Sequence, residues 1–132
     1  DIRFRIPSLR WALNQRAAGG KAWVYLFTHP SPARRGLFGS CHALEMPFVF
    51  GTLGAPTQDK FAGTGPDVER LSHEMMDAWL GFTISGEPAT AASGPWPQYD
   101  AARRPTMIFD SKRSVQESDP LGEERMAIEA LI

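Results

Sequence analysis

The sequence predicts an α/β fold, and three observations carry that prediction. An amphipathic stretch (Ile6, Leu9, Leu13, Ala17) closes on Gly19-Gly20 and runs straight into the apolar hexad Ala22–Phe27. Helix, glycine turn and strand in that order make half of an α/β unit. A second amphipathic stretch from Pro66 to about Thr83 precedes another short apolar run, Thr106–Asp110. Between the first strand and the second helix lies a connection from Thr28 to Pro66, rich in Pro and Gly. Connections that long inside a domain are unusual and often functional. One that begins at the end of a buried strand sits where ligands gather in open α/β sheets.

Each element has a local reason. Pro7 suits the first turn of a helix, because proline lacks only a donor that the first turn leaves unpaired. The run Ala22-Trp-Val-Tyr-Leu-Phe27 shows no polar alternation and reads as a strand buried on both faces. In the second helix, Pro66 marks the first turn and Val68, Leu71, Met75, Ala78, Trp79 and Phe82 share one face, expected to pack on the sheet. Ser85-Gly86-Glu87-Pro88 stops it. Residues 86–105 read as a surface loop pinned by Trp96 and Tyr99, and Ser111–Ser118 as a polar link. Asp119-Pro120 reads as an N-cap and first turn. It is followed by a last helix with Leu121, Ile128, Leu131 and Ile132 as its apolar face. The whole span 1–132 is read as one segment without an internal domain boundary.

Composition bounds the function. With 42% hydrophobic and 22% charged residues, the chain is an ordinary globular sequence. A formal net charge of −1, without a basic cluster, argues against nucleic acid and anionic membrane surfaces as partners. No apolar run approaches the roughly 18 residues of a membrane span. The single cysteine, Cys41, has no internal partner and fits a reducing compartment, so a cytoplasmic location is expected. The chain opens on Asp1, so the natural N-terminus is expected to lie outside it.

The chemistry-bearing stretch is Gly39-Ser-Cys-His-Ala-Leu-Glu-Met-Pro-Phe-Val-Phe-Gly51, with His42 near its start. Histidine is the side chain that titrates nearest neutrality, and a loop lets it reach a partner group. Read as a metal pair, His42 and Glu45 would need a helix, which Gly39 and Pro47 discourage. His29 and His73 add no ligand spacing, so no metal and no cofactor are expected. Glu45 is expected to brace the loop rather than to act as an acid on so near a neighbour. Cys41 reads as packing rather than as a nucleophile. Arg34-Arg35 reads as a solvated pair.

The pattern Gly-x-x-His-x-x-Glu-x-Pro-Phe-Val-Phe-Gly resembles the histidine loop of the type B carboxylesterases, the family of the para-nitrobenzyl esterases and cholinesterases. The likeness runs along the chain. Asp1, Phe4 and Pro7 resemble the segment that precedes the penultimate large helix of that family. Trp23–Phe27 resembles the last central strand. Trp79, Phe82, Gly86 and Pro88 resemble the family's Trp-x-x-Phe-x-x-x-Gly-x-Pro helix and exit. Trp96-Pro97-x-Tyr99 with Met107-Ile108-Phe109 resembles its C-terminal signature.

The resemblance implies the C-terminal part of an α/β-hydrolase fold, a mostly parallel sheet flanked by helices, incomplete as given. It implies a carboxylic ester hydrolase with a Ser-His-Asp/Glu triad in which His42 is the base. The Gly-x-Ser-x-Gly elbow of such enzymes is absent, and Ser40, Ser85 and Ser93 do not stand in one. The nucleophile and acid are therefore expected on an upstream segment of the same protein, and the chain alone is expected to be inactive. The implied partners are that segment, a small-molecule ester and, through incomplete sheet edges, a second copy. The alternative is a non-catalytic α/β-hydrolase-like interaction module, against which a histidine at position 42 argues. A free-standing small α/β binding domain is disfavoured by the strand count.

Overall fold

The computed structural model describes residues 2–91 and 93–131. Asp1 and Ile132, both named above, lie outside the described residues. Two compact units divide the chain, each assembled from separated segments. The first gathers the N-terminal segment through Tyr25, Pro97–Met107 and the segment from Gln116 on; the second gathers Leu26–Trp96 and Ile108–Val115.

The first unit contains helix α1, Arg5–Ala17, which buries Ile6 and Leu9. Leu13 is only half-buried and Ala17 is exposed, so the buried stripe is shorter than its periodicity suggests. The Ala22 carbonyl accepts from Tyr99 N–H at 2.8 Å. Helix α5, Gly122–Glu129, does not bury the expected apolar face. Leu121 and Leu131 are exposed, and the buried side chain is Arg125. Asp119 does not cap this helix. Its carboxylate takes the Arg125 guanidinium in two parallel bonds, Nε to Oδ1 at 2.9 Å and Nη2 to Oδ2 at 2.7 Å. A forked, charge-assisted pair of that kind outcompetes a single cap bond.

Three strands form a sheet in the order β1 (Tyr25–Phe27), β4 (Pro105–Phe109), β5 (Val115–Ser118). Met107 N–H donates to Val24 O at 3.0 Å and Thr28 N–H to Phe109 O at 2.9 Å. Residue numbers rise together along both strands, so this pair is parallel. β4 and β5 are joined by Asp110–Ser114 alone, and links that short join antiparallel strands. The sheet is therefore small and mixed. β4 is buried at every position. β1 is shorter than the apolar hexad and not buried on both faces, since Tyr25 is 38% exposed. β5, read as a polar link, is an edge strand exposed over most of its length.

The second unit is organised around helix α4, Pro66–Ser85. Its N-terminus is set by Gly65 and Pro66, with Asp67 and Glu69 facing the positive end of the helix dipole. Gly86, left-handed at φ 75°, ends it by donating to Phe82 O. Val68, Leu71, Met75 and Ala78 are buried as expected, and Trp79 packs on Phe109 with centroids 6.2 Å apart. Trp96 meets the same ring edge-on at 5.7 Å. Phe82 departs from the expected face at 50% exposure. Ser72 and Glu74 are buried in addition. Glu74 holds Arg70 on one oxygen and Ser114 Oγ on the other, which satisfies its buried charge. A two-stranded hairpin, β2 (Ala89–Thr90) with β3 (Gly94–Pro95), follows the helix.

Candidate active site

The long connection after β1 is not structureless. It contains a 3-10 turn, Ala33–Gly36, and two single-turn helices, α2 (Met46–Val49) and α3 (Gln58–Phe61). Pro47 sits in the first turn of α2, where proline is tolerated, so it starts a helix just beyond the histidine rather than excluding one. Residues 31–39 close on themselves: Ser31 N–H donates to Gly39 O at 2.9 Å. Within that loop Arg34 and Arg35 are exposed and left-handed at φ 48° and 59°, and the Arg34 guanidinium lies 5.8 Å from the Phe38 ring centroid.

His42 is exposed, at the tip of the turn that follows. The segment around it is anchored on both sides. Ahead of it, Ser40 Oγ donates to the Phe27 carbonyl at 2.8 Å. Phe27 is the last residue of β1, so His42 is tied to the carboxyl end of that strand. Behind it, Leu44 and Phe48 are fully buried one helical turn apart. The Glu45 carbonyl accepts from Phe48 N–H and Val49 N–H, both at 3.0 Å, so its bracing of the loop runs through the main chain. Phe48 packs edge-on against Phe27 with centroids 5.2 Å apart, and its carbonyl accepts from Ser72 Oγ of α4 at 2.9 Å. Ala43, next to the histidine, is left-handed at φ 65°. The closing Gly51 is also left-handed, φ 62°, and a Cβ there would lie 2.7 Å from Met76 Sδ.

Other candidate groups serve structure. Ser40, Ser85 and Ser93 spend their hydroxyls locally, on Phe27 O, on Gly81 O and on Thr90 Oγ1. Cys41 is half-buried rather than buried. His73 is exposed on α4, where it joins Glu69, Arg70, Glu74 and Asp77 in lining an open groove of about 600 Å³ that does not include His42. Among the described residues no group of three or more His, Cys, Asp and Glu side chains could hold a metal ion. No helix among them is long and apolar enough to cross a membrane. His29, passed over in the sequence, is buried with both ring nitrogens engaged. Its only sequence signal is a polar residue just past the carboxyl end of a strand.

The sequence profile of the carboxylesterase family matches residues 1–128. The chain belongs to the carboxylesterase family. It is 36% identical over 130 residues to the para-nitrobenzyl esterase of Bacillus subtilis strain 168, covering 97% of this chain and 25% of that protein. Among solved structures, the carboxylesterase EST55 of Geobacillus stearothermophilus aligns with a TM-score of 0.75 at 38% identity, over 90% of this chain and 24% of that one. An esterase of Clostridium hathewayi that can hydrolyse aliphatic aromatic polyesters aligns at 0.81 with 26% identity, over 96% and 24%. The chain thus spans about a quarter of the length of these carboxylesterases. Its α/β architecture is that of a portion of the α/β-hydrolase fold.

Proposed function

We propose that this chain is the histidine-bearing portion of a serine carboxylesterase and that His42 is its general base. The observation that carries the reading is the bond from Ser40 to Phe27: it ties an exposed histidine to the carboxyl end of a strand, where catalytic groups gather in α/β sheets. In the mechanism this implies, His42 takes the proton from a serine Oγ as that oxygen attacks the ester carbonyl carbon. The resulting imidazolium gives its proton to the departing alkoxide as the carbon–oxygen bond breaks. The acyl-enzyme is then hydrolysed by a water that His42 deprotonates, and the proton returns to the serine. A carboxylate on the second ring nitrogen fixes the tautomer. Serine, acid and oxyanion donors come from the upstream segment of the same protein, and the substrate is a small-molecule carboxylic ester.

The exposed apolar side chains support a chain that is completed by more protein. Phe4 is 74% exposed, Trp11 80% and Leu37 79%, values unusual for large apolar groups. The upstream segment is the natural cover for them, with a second copy as the fallback when it is missing. One domain spanning 1–132, a cytoplasmic location and the absence of nucleic-acid or membrane partners complete the reading, on the composition given above.

The test is turnover of para-nitrophenyl acetate by the protein that carries this chain. Replacing His42 by Ala lowers kcat by about 10⁴-fold or more. The melting temperature stays close to wild type, because exposed positions contribute only about ±0.5 kcal/mol. The 132-residue chain by itself hydrolyses the ester no faster than free imidazole and associates in light scattering. Wild-type turnover in His42→Ala refutes the base assignment, and no turnover by the unaltered protein leaves the interaction module as the better reading.

A further inference from the structure

We infer that His29 is a positioning residue that sets the orientation of His42; the inference rests on the base assignment above. His29 is 6% exposed and joins segments far apart in sequence. Its Nε2 lies 2.9 Å from the Ala62 carbonyl, ahead of α4, and its Nδ1 lies 2.7 Å from Ser111 Oγ, just after β4. A carbonyl only accepts, so Nε2 carries a proton, and in the neutral ring Nδ1 accepts from the serine hydroxyl. Both nitrogens are satisfied by the neutral ring in a single tautomer, and the ring plane is fixed by two bonds in different directions.

That fixed ring is one side of an aromatic triangle. It meets Phe48 edge-on at 5.2 Å and 61°, and Phe27 at 6.0 Å and 73°, while Phe27 and Phe48 meet at 5.2 Å and 60°. Both anchors of the His42 segment end on this triangle. Ser40, two residues before His42, bonds the Phe27 carbonyl, and Phe48, six residues after it, contributes its ring. If packing were the only requirement, phenylalanine would fill the space without two polar partners to satisfy. Histidine adds direction: it ties the triangle to the loop at Ala62 and the turn at Ser111, so Phe48 cannot rotate or slide independently. A base moved by an ångström loses much of its rate, which gives this remote ring leverage over catalysis.

The experiment compares His29→Phe, His29→Gln and Ser111→Ala with His42→Ala in the protein carrying this chain. kcat is expressed per folded molecule, with the folded fraction taken from near-ultraviolet circular dichroism and gel filtration. Phe keeps the ring and loses both bonds, so kcat falls about 10- to 100-fold while KM stays within about twofold. Gln restores a donor for Ala62 O and recovers part of the loss, and Ser111→Ala costs several-fold. Asp119→Asn, a destabilised control in the other unit, keeps wild-type kcat per folded molecule. Wild-type kcat per folded molecule in His29→Phe, or no recovery with Gln, overturns the inference. If Phe does not fold, Ser111→Ala and His29→Gln decide it, an unchanged kcat in both being fatal. Retained turnover in His42→Ala removes the base assignment instead, whatever the His29 variants do.

Discussion

The hydroxyl of Ser72, on the inner face of α4, donates to the carbonyl of Phe48 in α2 at 2.9 Å, and both residues are buried. This single bond fastens the helix turn behind His42 to the long helix of its unit. Ser72→Ala removes the shorter of two bonds to a buried carbonyl and leaves it the 3.4 Å bond from Gly51 N–H, so unfolding free energy should fall by about 0.5–1.5 kcal/mol. Urea denaturation of the protein carrying this chain measures it. An effect within error of zero would mean that Gly51 N–H alone satisfies the carbonyl.

Gly51 is required twice over, by its left-handed backbone and by the nearness of Met76. Gly51→Ala should cost about 1–2 kcal/mol from the backbone alone, with more from displacing the methionine sulfur. Pairing it with Met76→Ala separates the two terms. The double variant should recover the contact part and keep the backbone part, and a purely additive cycle would rule out the contact.

The Arg125 bonds hold the Asp119 carboxyl below its ordinary range, and the same bonds raise the Arg125 guanidinium. A carboxylate whose folded pKa lies below its unfolded value, about 3.9, stabilises the fold above that value. The contribution disappears as pH falls through the lowered folded pKa. Asp119→Asn should therefore destabilise the protein at neutral pH and make its stability fall less steeply below about pH 4. Denaturation midpoints of the two proteins on a pH series test this, and parallel curves would exclude the linkage.

Much of the site was legible because its residues face a local demand. The spacing from Gly39 to Gly51 puts His42 in a turn, as the glycine and proline content of the stretch demands, but Pro47, read as discouraging a helix, starts a helix turn just beyond it. What surrounds it was not legible, because it depends on distant partners. Nothing near Ser72 or His29 in sequence announces Phe48, Ala62 or Ser111. Apolar pattern also misled in a consistent direction. Phe82 and Leu131 satisfy helical periodicity yet are exposed, since periodicity marks which face wants cover and not whether this chain supplies it. Arg125 and Glu74 show the converse: a charged side chain is buried wherever a forked or shared bond satisfies it.

The parallel pairing of β1 with β4 has a consequence for synthesis. Thr28 bonds Asp110, a partner 82 residues further along the chain. At about 5–20 residues per second, a ribosome delivers that partner roughly 4–16 seconds after β1 has emerged. Until then β1 has no neighbour on that side, and any meeting of the rings of Phe27, His29 and Phe48 lacks the serine that holds the histidine. The three-residue length of β1 limits what a waiting strand edge can capture during that interval. Lengthening β1 to the full apolar hexad would therefore act first on the yield of nascent protein, before any change in the finished fold.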